Sequence, residues 1–129
     1  MIDRVHHHTT HAWAATQPTA ATSFTADLQV VLAVANGTDA LEIALKALAL
    51  PKGSEVIVPV NTWISTAEAV LKNNLKIVFC DINLKDYSIC LKDLKTKINK
   101  KTRLIMPVHL FGNPSNLPSI KKLIKKKNI

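Results

Sequence analysis

Four residues at two points of the chain have types and spacing suited to holding a phosphorylated, planar ligand: Gly37, Thr38 and Asp39 together, and Trp63 further on. The run Asn36-Gly37-Thr38-Asp39 follows a short apolar stretch and opens a helical pattern. A strand–Gly–hydroxyl–helix junction presents backbone N–H groups at a helix N-terminus, where a phosphate is well held. The Thr38 hydroxyl adds a donor, and Gly37 brings no side chain to block approach. The same tripeptide also reads as nothing more than a helix cap. Trp63 lies just past the apolar run Glu55–Pro59, and an indole there offers a flat face to an aromatic ring. A core tryptophan is the other reading. A phosphate cup and an aromatic plate at neighbouring strand ends are jointly more specific than either alone. Asp81 and His109 occupy the next two strand ends. His109 reads as a core-edge histidine whose ring is hydrogen-bonded.

These positions depend on the elements that carry them. Val30–Val34 is a short apolar run bounded by Asn36-Gly37, which predicts a strand. Asp39–Leu50 carries apolar residues at helical spacing and is closed by Pro51 and Gly53. Strands are expected at Glu55–Pro59, Lys76–Asp81 and Arg103–His109, and helices at Ile64–Lys72, Leu91–Ile98 and residues 117–127. The last helix has Asn116 as its cap and Pro118 in its first turn. The alternation β-α-β-α-β-α-β-α implies an α/β fold, a mainly parallel sheet with crossover helices. Ligands of such sheets bind beyond the carboxyl ends of the strands, where all of these residues fall.

Composition narrows the field. The 129 residues are 47% hydrophobic and 20% charged, an ordinary globular balance. No apolar run is long enough to span a membrane, and no secretory leader pattern is present. Cys80 and Cys90 match no zinc or redox spacing, which points to a reduced, cytoplasmic setting. Residues 1–27 are rich in Thr, Ala and His and lack periodicity, so they are expected to be an unstructured or non-family segment ahead of a domain over 28–129. The cluster His6, His7, His8 and His11 has no spaced carboxylate or thiol partner, so no metal site is expected. The net charge of +8 is carried almost wholly by lysine without interleaved aromatics. That is the make-up of a solvated helix face more than of a nucleic-acid surface. A small basic binding module for acidic partners is the alternative from a different class. It would require Lys121, Lys122, Lys125, Lys126, Lys127 and the other lysines to converge.

The blocks VANGTDALEIALKAL, GSEVIVPVNTWISTAEAVL, KIVFCDI and TRLIMPVHLFGNP, in that order, closely resemble the DegT/StrS-type family of pyridoxal-phosphate (PLP) dependent sugar aminotransferases over about residues 30–129. The resemblance implies part of the large domain of the type I aminotransferase fold. It also implies pyridoxal 5′-phosphate as cofactor and a homodimer when full length. The implied reaction moves an amino group, usually from glutamate, to a nucleotide-linked keto-sugar. Matched by position, Gly37 and Thr38 fall in the phosphate-binding turn, Asp39 opens the helix, and Trp63 is the aromatic residue that stacks on the pyridine ring. The family's pyridine-pairing Asp lies on the strand after the one ending at His109, and its Schiff-base lysine farther on. None of the 15 lysines sits in that lysine motif. The chain alone is therefore expected to be an inactive fragment of the enzyme, with no catalytic residue of its own. Some relatives are PLP-dependent sugar dehydratases with histidine in place of the lysine, which leaves that activity as an alternative.

Overall fold

The computed structural model describes residues 33–127, with side chains to Lys125. Helix α1 spans Gly37–Ala47. It begins two residues ahead of the expected Asp39 because Asn36, in extended conformation, caps it: Asn36 Oδ1 accepts the Asp39 N–H at 2.9 Å. Asp39 in its first turn and Lys46 in its last complement the helix dipole. The helix ends short of the expected Leu50. Leu48 closes it, Ala49 turns into the left-handed region at φ 46°, and Leu50 is held out of helical geometry by Pro51 behind it.

Strand β1 is Glu55–Pro59, with all five residues buried, and α2 is Ile64–Lys72, both with the expected bounds. Strand β2 runs Lys76–Cys80 and stops one residue early, because the Asp81 N–H donates to Asp93 Oδ2 at 2.7 Å instead of to a strand. Helix α3 is Leu91–Lys97, and Ile98 is its extended C-cap. Strand β3 is Thr102–Ile105, shorter than the expected Arg103–His109. One more bond continues it, from Met106 N–H to Ile57 O at 2.9 Å, and then Pro107 has no N–H to give. A 3₁₀ turn at Leu110–Gly112 leads to α4, Leu117–Lys127, whose start Asn116 caps through the Ser119 N–H at 3.1 Å. The strand expected at residues 30–34 falls mostly outside the described residues, and Ala33 and Val34 within them belong to no regular element. Residues 1–27 lie wholly outside them.

The three strands form one parallel sheet in the order β2-β1-β3. Glu55 faces Thr102 while Val56 faces Leu104, so Arg103 is an extra residue that bulges outward. Alternation along β1 divides the core between two faces. Val56 and Val58 pack with Leu41 and Leu45 of α1 and Ala69 and Val70 of α2. Ile57 packs on the other face with Leu94 of α3 and Ile120 of α4. The result is a helix–sheet–helix sandwich in which β1 is buried on both sides, as parallel strands are. This is the α/β architecture expected, and it directs the carboxyl ends of all three strands the same way.

Candidate functional site

At that end, α1 and α2 begin side by side. The hydroxyls of Thr38 and Ser65 are 2.7 Å apart, joining the first turn of one helix to the first turn of the other. Trp63, two residues before Ser65, is the N-cap of α2 and is 76% exposed, so its ring is not a core ring. The Gly37 turn and Trp63 therefore lie at two neighbouring helix starts whose first turns meet at the hydroxyl pair.

The turn itself has room. A Cβ added at Gly37 would meet nothing within 4 Å, so the space beside the backbone is open to an incoming group. The N–H groups of Gly37 and Thr38 have no acceptor within their own helix, as at any helix start. The Asp39 N–H is different, since Asn36 Oδ1 already takes it, and the Asp39 carboxylate accepts from Asn36 Nδ2 at 3.2 Å. Asp39 thus serves the helix start, and the donors left for a ligand are the first two amides, with the Thr38 hydroxyl shared with Ser65. That set suits a phosphate. Trp63 adds an uncovered aromatic face, so the residues present fit a phosphorylated pyridine.

Ser65 was not singled out from sequence. Its partner is 27 positions away, and only the packing of α1 on α2 brings the two together. A second pair, Thr62 Oγ1 and Thr66 Oγ1 at 2.9 Å, braces the same turn of α2, which lacks both a side-chain cap and an acidic residue.

The other strand ends are occupied structurally. Asp81 Oδ1 accepts the Ile82 N–H at 2.8 Å. Asp93 accepts the Asp81 N–H and pairs with Lys97 at 2.9 Å, and these contacts, the backbone bond first, hold its carboxyl below the usual carboxylate range. Burial, reinforced by Asp93, pushes the Cys80 thiol up to about 12. Its Sγ lies 3.7 Å from the Cys90 carbonyl, and both cysteines are free thiols. His109 Nδ1 accepts the Ser115 N–H at 2.9 Å, and Ser115 Oγ donates to Val108 O at 2.9 Å. The ring-bonded, core-edge role expected of His109 is what the structure has. Tyr87 and Phe111 meet edge to face at 6.1 Å, tying the loop after β2 to that after β3.

A hollow of about 570 Å³ lies at the opposite ends of α1 and α2, among Leu45, Leu50, Lys72 and Leu75. It shares no residue with the Gly37 turn or Trp63. Among the described residues no three His, Cys, Asp or Glu side chains group as metal ligands, and no helix is long and apolar enough to cross a membrane. The histidines at 6–8 and 11 fall outside the described residues. Lysines expected to converge in a basic module are partly engaged elsewhere: Lys72 pairs with Glu42, Lys76 with Glu55, and Lys97 with Asp93.

The sequence profile of the DegT/DnrJ/EryC1/StrS aminotransferase family matches residues 14–129. The chain belongs to this family. It is 45% identical over 92 residues to the UDP-N-acetyl-3-dehydro-alpha-D-glucosamine 3-aminotransferase of Acidithiobacillus ferrooxidans (strain ATCC 23270), a match covering 71% of this chain and 25% of that one. Among solved structures it is similar to 3-amino-5-hydroxybenzoic acid synthase, with a TM-score of 0.72 at 33% identity, over 76% of this chain and 26% of the other. It is also similar to the E. coli GDP-4-keto-6-deoxy-D-mannose-3-dehydratase with bound hydrated PLP, with a TM-score of 0.67 at 32% identity, over 71% and 25%. The DegT-family chain described here spans about a quarter of the length of these relatives. Its parallel sheet with flanking helices is part of their fold.

Proposed function

We propose that this chain is the phosphate- and ring-holding part of a pyridoxal 5′-phosphate-dependent aminotransferase that acts on a nucleotide-linked keto-sugar, with glutamate as amino donor. The observation that carries the reading is the junction of the two helix starts, with open space at Gly37 and an uncovered Trp63 beside it. In this reading the N–H groups of Gly37 and Thr38 and the Thr38 hydroxyl hold the phosphate. The Trp63 indole supports the face of the pyridine ring. Asp39 keeps the turn in place by anchoring Asn36. When bound, PLP supplies the electron sink that lets an amino group pass between carbon skeletons. The whole protein is proposed to act as a cytoplasmic homodimer, with a nucleotide sugar and an amino acid as its partners.

The resemblance puts the Schiff-base lysine and the pyridine-pairing Asp outside these 129 residues, so the chain by itself is expected to bind but not to turn over. The test titrates the purified chain with pyridoxamine 5′-phosphate and with pyridoxamine, neither of which forms imines with stray lysines. It also assays ¹⁵N-glutamate with UDP- and GDP-linked keto-sugars by mass spectrometry. Tighter binding of the phosphorylated form without turnover is the expected result. Equal binding of both forms would remove the phosphate cradle. Turnover, together with a single dominant lysine trapped by borohydride in the presence of PLP, would show that the chain is more than a holding part.

The likeness to the E. coli dehydratase supports a second reading, PLP-dependent sugar dehydration. Both readings use the same cradle, and the keto-sugar assay run on the full-length protein separates them by product: an amino-sugar carrying ¹⁵N, or a deoxygenated sugar without it.

A further inference from the structure

We infer that Ser65 is a positioning residue for the phosphate cradle, acting through the Thr38 hydroxyl; the inference rests on the cradle proposed above. Ser65 is 8% exposed, and its hydroxyl meets Thr38 Oγ1 at 2.7 Å. A hydroxyl has one proton to donate and can accept two more. With no anion present, the Thr38 proton can satisfy Ser65, and the cradle then loses its side-chain donor. With a phosphate at Gly37, a charge-assisted bond from Thr38 to the anion is the stronger use of that proton. Ser65 then reverses and donates into Thr38 Oγ1. The chain Ser65 to Thr38 to phosphate polarises in one direction, which strengthens each bond in it.

The fold supplies the rigidity this needs. Ser65 sits in the first turn of α2, and the turn is braced by the Thr62–Thr66 pair and by the Thr66 N–H bond to Trp63 O at 3.0 Å. Further along, Lys72 pairs with Glu42, and Asn73 Nδ2 donates to Glu42 O at 3.1 Å, fixing the two helices against each other. The spacing between the hydroxyls is therefore set at both ends of the helix pair. One consequence is that Ser65, in the same turn as Trp63, couples the phosphate cup to the start of the helix that presents the aromatic plate.

The experiment titrates the 129-residue chain calorimetrically with pyridoxamine 5′-phosphate and with pyridoxamine. Ser65→Ala is expected to weaken the phosphorylated ligand by about three- to tenfold, the size of one lost hydrogen bond, and to leave pyridoxamine unchanged. Ser65→Thr, which keeps the hydroxyl, is expected to restore binding. Thr38→Val combined with Ser65→Ala should weaken binding no further than Thr38→Val alone, because Ser65 acts only through Thr38. If Ser65→Ala loses its circular-dichroism helix signal, Ser65→Cys, close in size and a weak donor, is read in its place with the same expectation. Wild-type affinity in Ser65→Ala alongside a weakened Thr38→Val would overturn the role of Ser65 and leave the cradle standing. Unchanged affinity in Thr38→Val would overturn the part of the Thr38 hydroxyl in the cradle, and the inference with it. An equal loss for both ligands in Ser65→Ala would mark Ser65 as merely structural.

Discussion

The two ends of the sheet are built for different purposes. At the amino end, Glu55 is 6% exposed yet fully engaged: Oε1 pairs with Lys76 at 3.2 Å, and Oε2 accepts from Asn99 Nδ2 at 2.7 Å. Asn99 in turn donates its N–H to Thr102 Oγ1 at 3.0 Å and accepts the Lys101 N–H at 2.8 Å. One network thus pins the starts of all three strands. At the carboxyl end the side chains around the candidate site are left uncovered, including Val60, Trp63 and Ile64. Buried polar groups at the amino end are closed on each other, while apolar and aromatic side chains at the carboxyl end are left exposed. If the proposed cradle is right, substitutions at the two ends should separate stability from ligand binding.

The largest expected effect is at the amino end. Glu55→Ala removes a buried carboxylate together with its bond from Asn99 and its pairing with Lys76, and a hydrogen bond to a charged group is worth about 1.5–3 kcal/mol. Urea unfolding should show the lower midpoint, while affinity for pyridoxamine 5′-phosphate stays at the wild-type value. Trp63→Ala should do the reverse. Stacking on an aromatic ring is typically worth about 1–3 kcal/mol by alanine substitution, so affinity should fall by about tenfold or more. Stability should move by no more than about 0.5 kcal/mol, as for an exposed position. A Trp63→Ala chain that unfolds early yet binds normally would invert the comparison.

How far this contrast could be read from sequence depends on how local its causes are. The bounds of β1 and α2 follow from a β-branched run and a helical stripe, and both were legible to the residue. The place of Trp63 beyond the end of β1 was legible too, whereas the strand expected ahead of Gly37 falls mostly outside the described residues. The end of β3 was in principle legible, since Pro107 cannot pair, but the bulge at Arg103 was not: Arg103 reads like any strand residue until its neighbour's register is known. The early end of α1 depends on Ala49 adopting a left-handed conformation that alanine seldom takes, which no pattern announces. Glu55 and Ser65 escaped notice for the same reason. Their partners, Asn99 and Thr38, are 44 and 27 positions away, and only the folded packing chooses them.

A smaller effect concerns acid. The Asn99 hydrogen bond, with help from Lys76, holds the Glu55 carboxyl below the usual glutamate value. A carboxylate whose folded pKa is depressed contributes stability that is complete above its unfolded value. That contribution is lost as pH falls through the folded one. Wild-type stability should therefore decline as pH drops below about 4.5, and Glu55→Gln should be less stable at neutral pH with a shallower decline. Parallel pH profiles for the two chains would mean that the network is not closed on an ionised Glu55.

The smallest expected effect is a null, and it marks the limit of the contrast. The carboxyl end is not open everywhere: β2 ends at Cys80, which is fully buried beside Cys90 and Asp93. Since the thiolate is the reactive form, a thiol raised to about 12 by burial and a neighbouring carboxylate has almost none available at pH 8. Iodoacetamide at that pH should leave Cys80 unmodified in the folded chain and label it fully in urea, read by peptide mass. Labelling of folded Cys80 at the rate of a free thiol would mean that α3 opens readily over the end of β2. Exposure would then extend along the whole carboxyl edge, and the site would lose its boundary. Protection, by contrast, leaves the end of β2 closed and distinct from the starts of α1 and α2, where Gly37, Thr38, Ser65 and Trp63 lie.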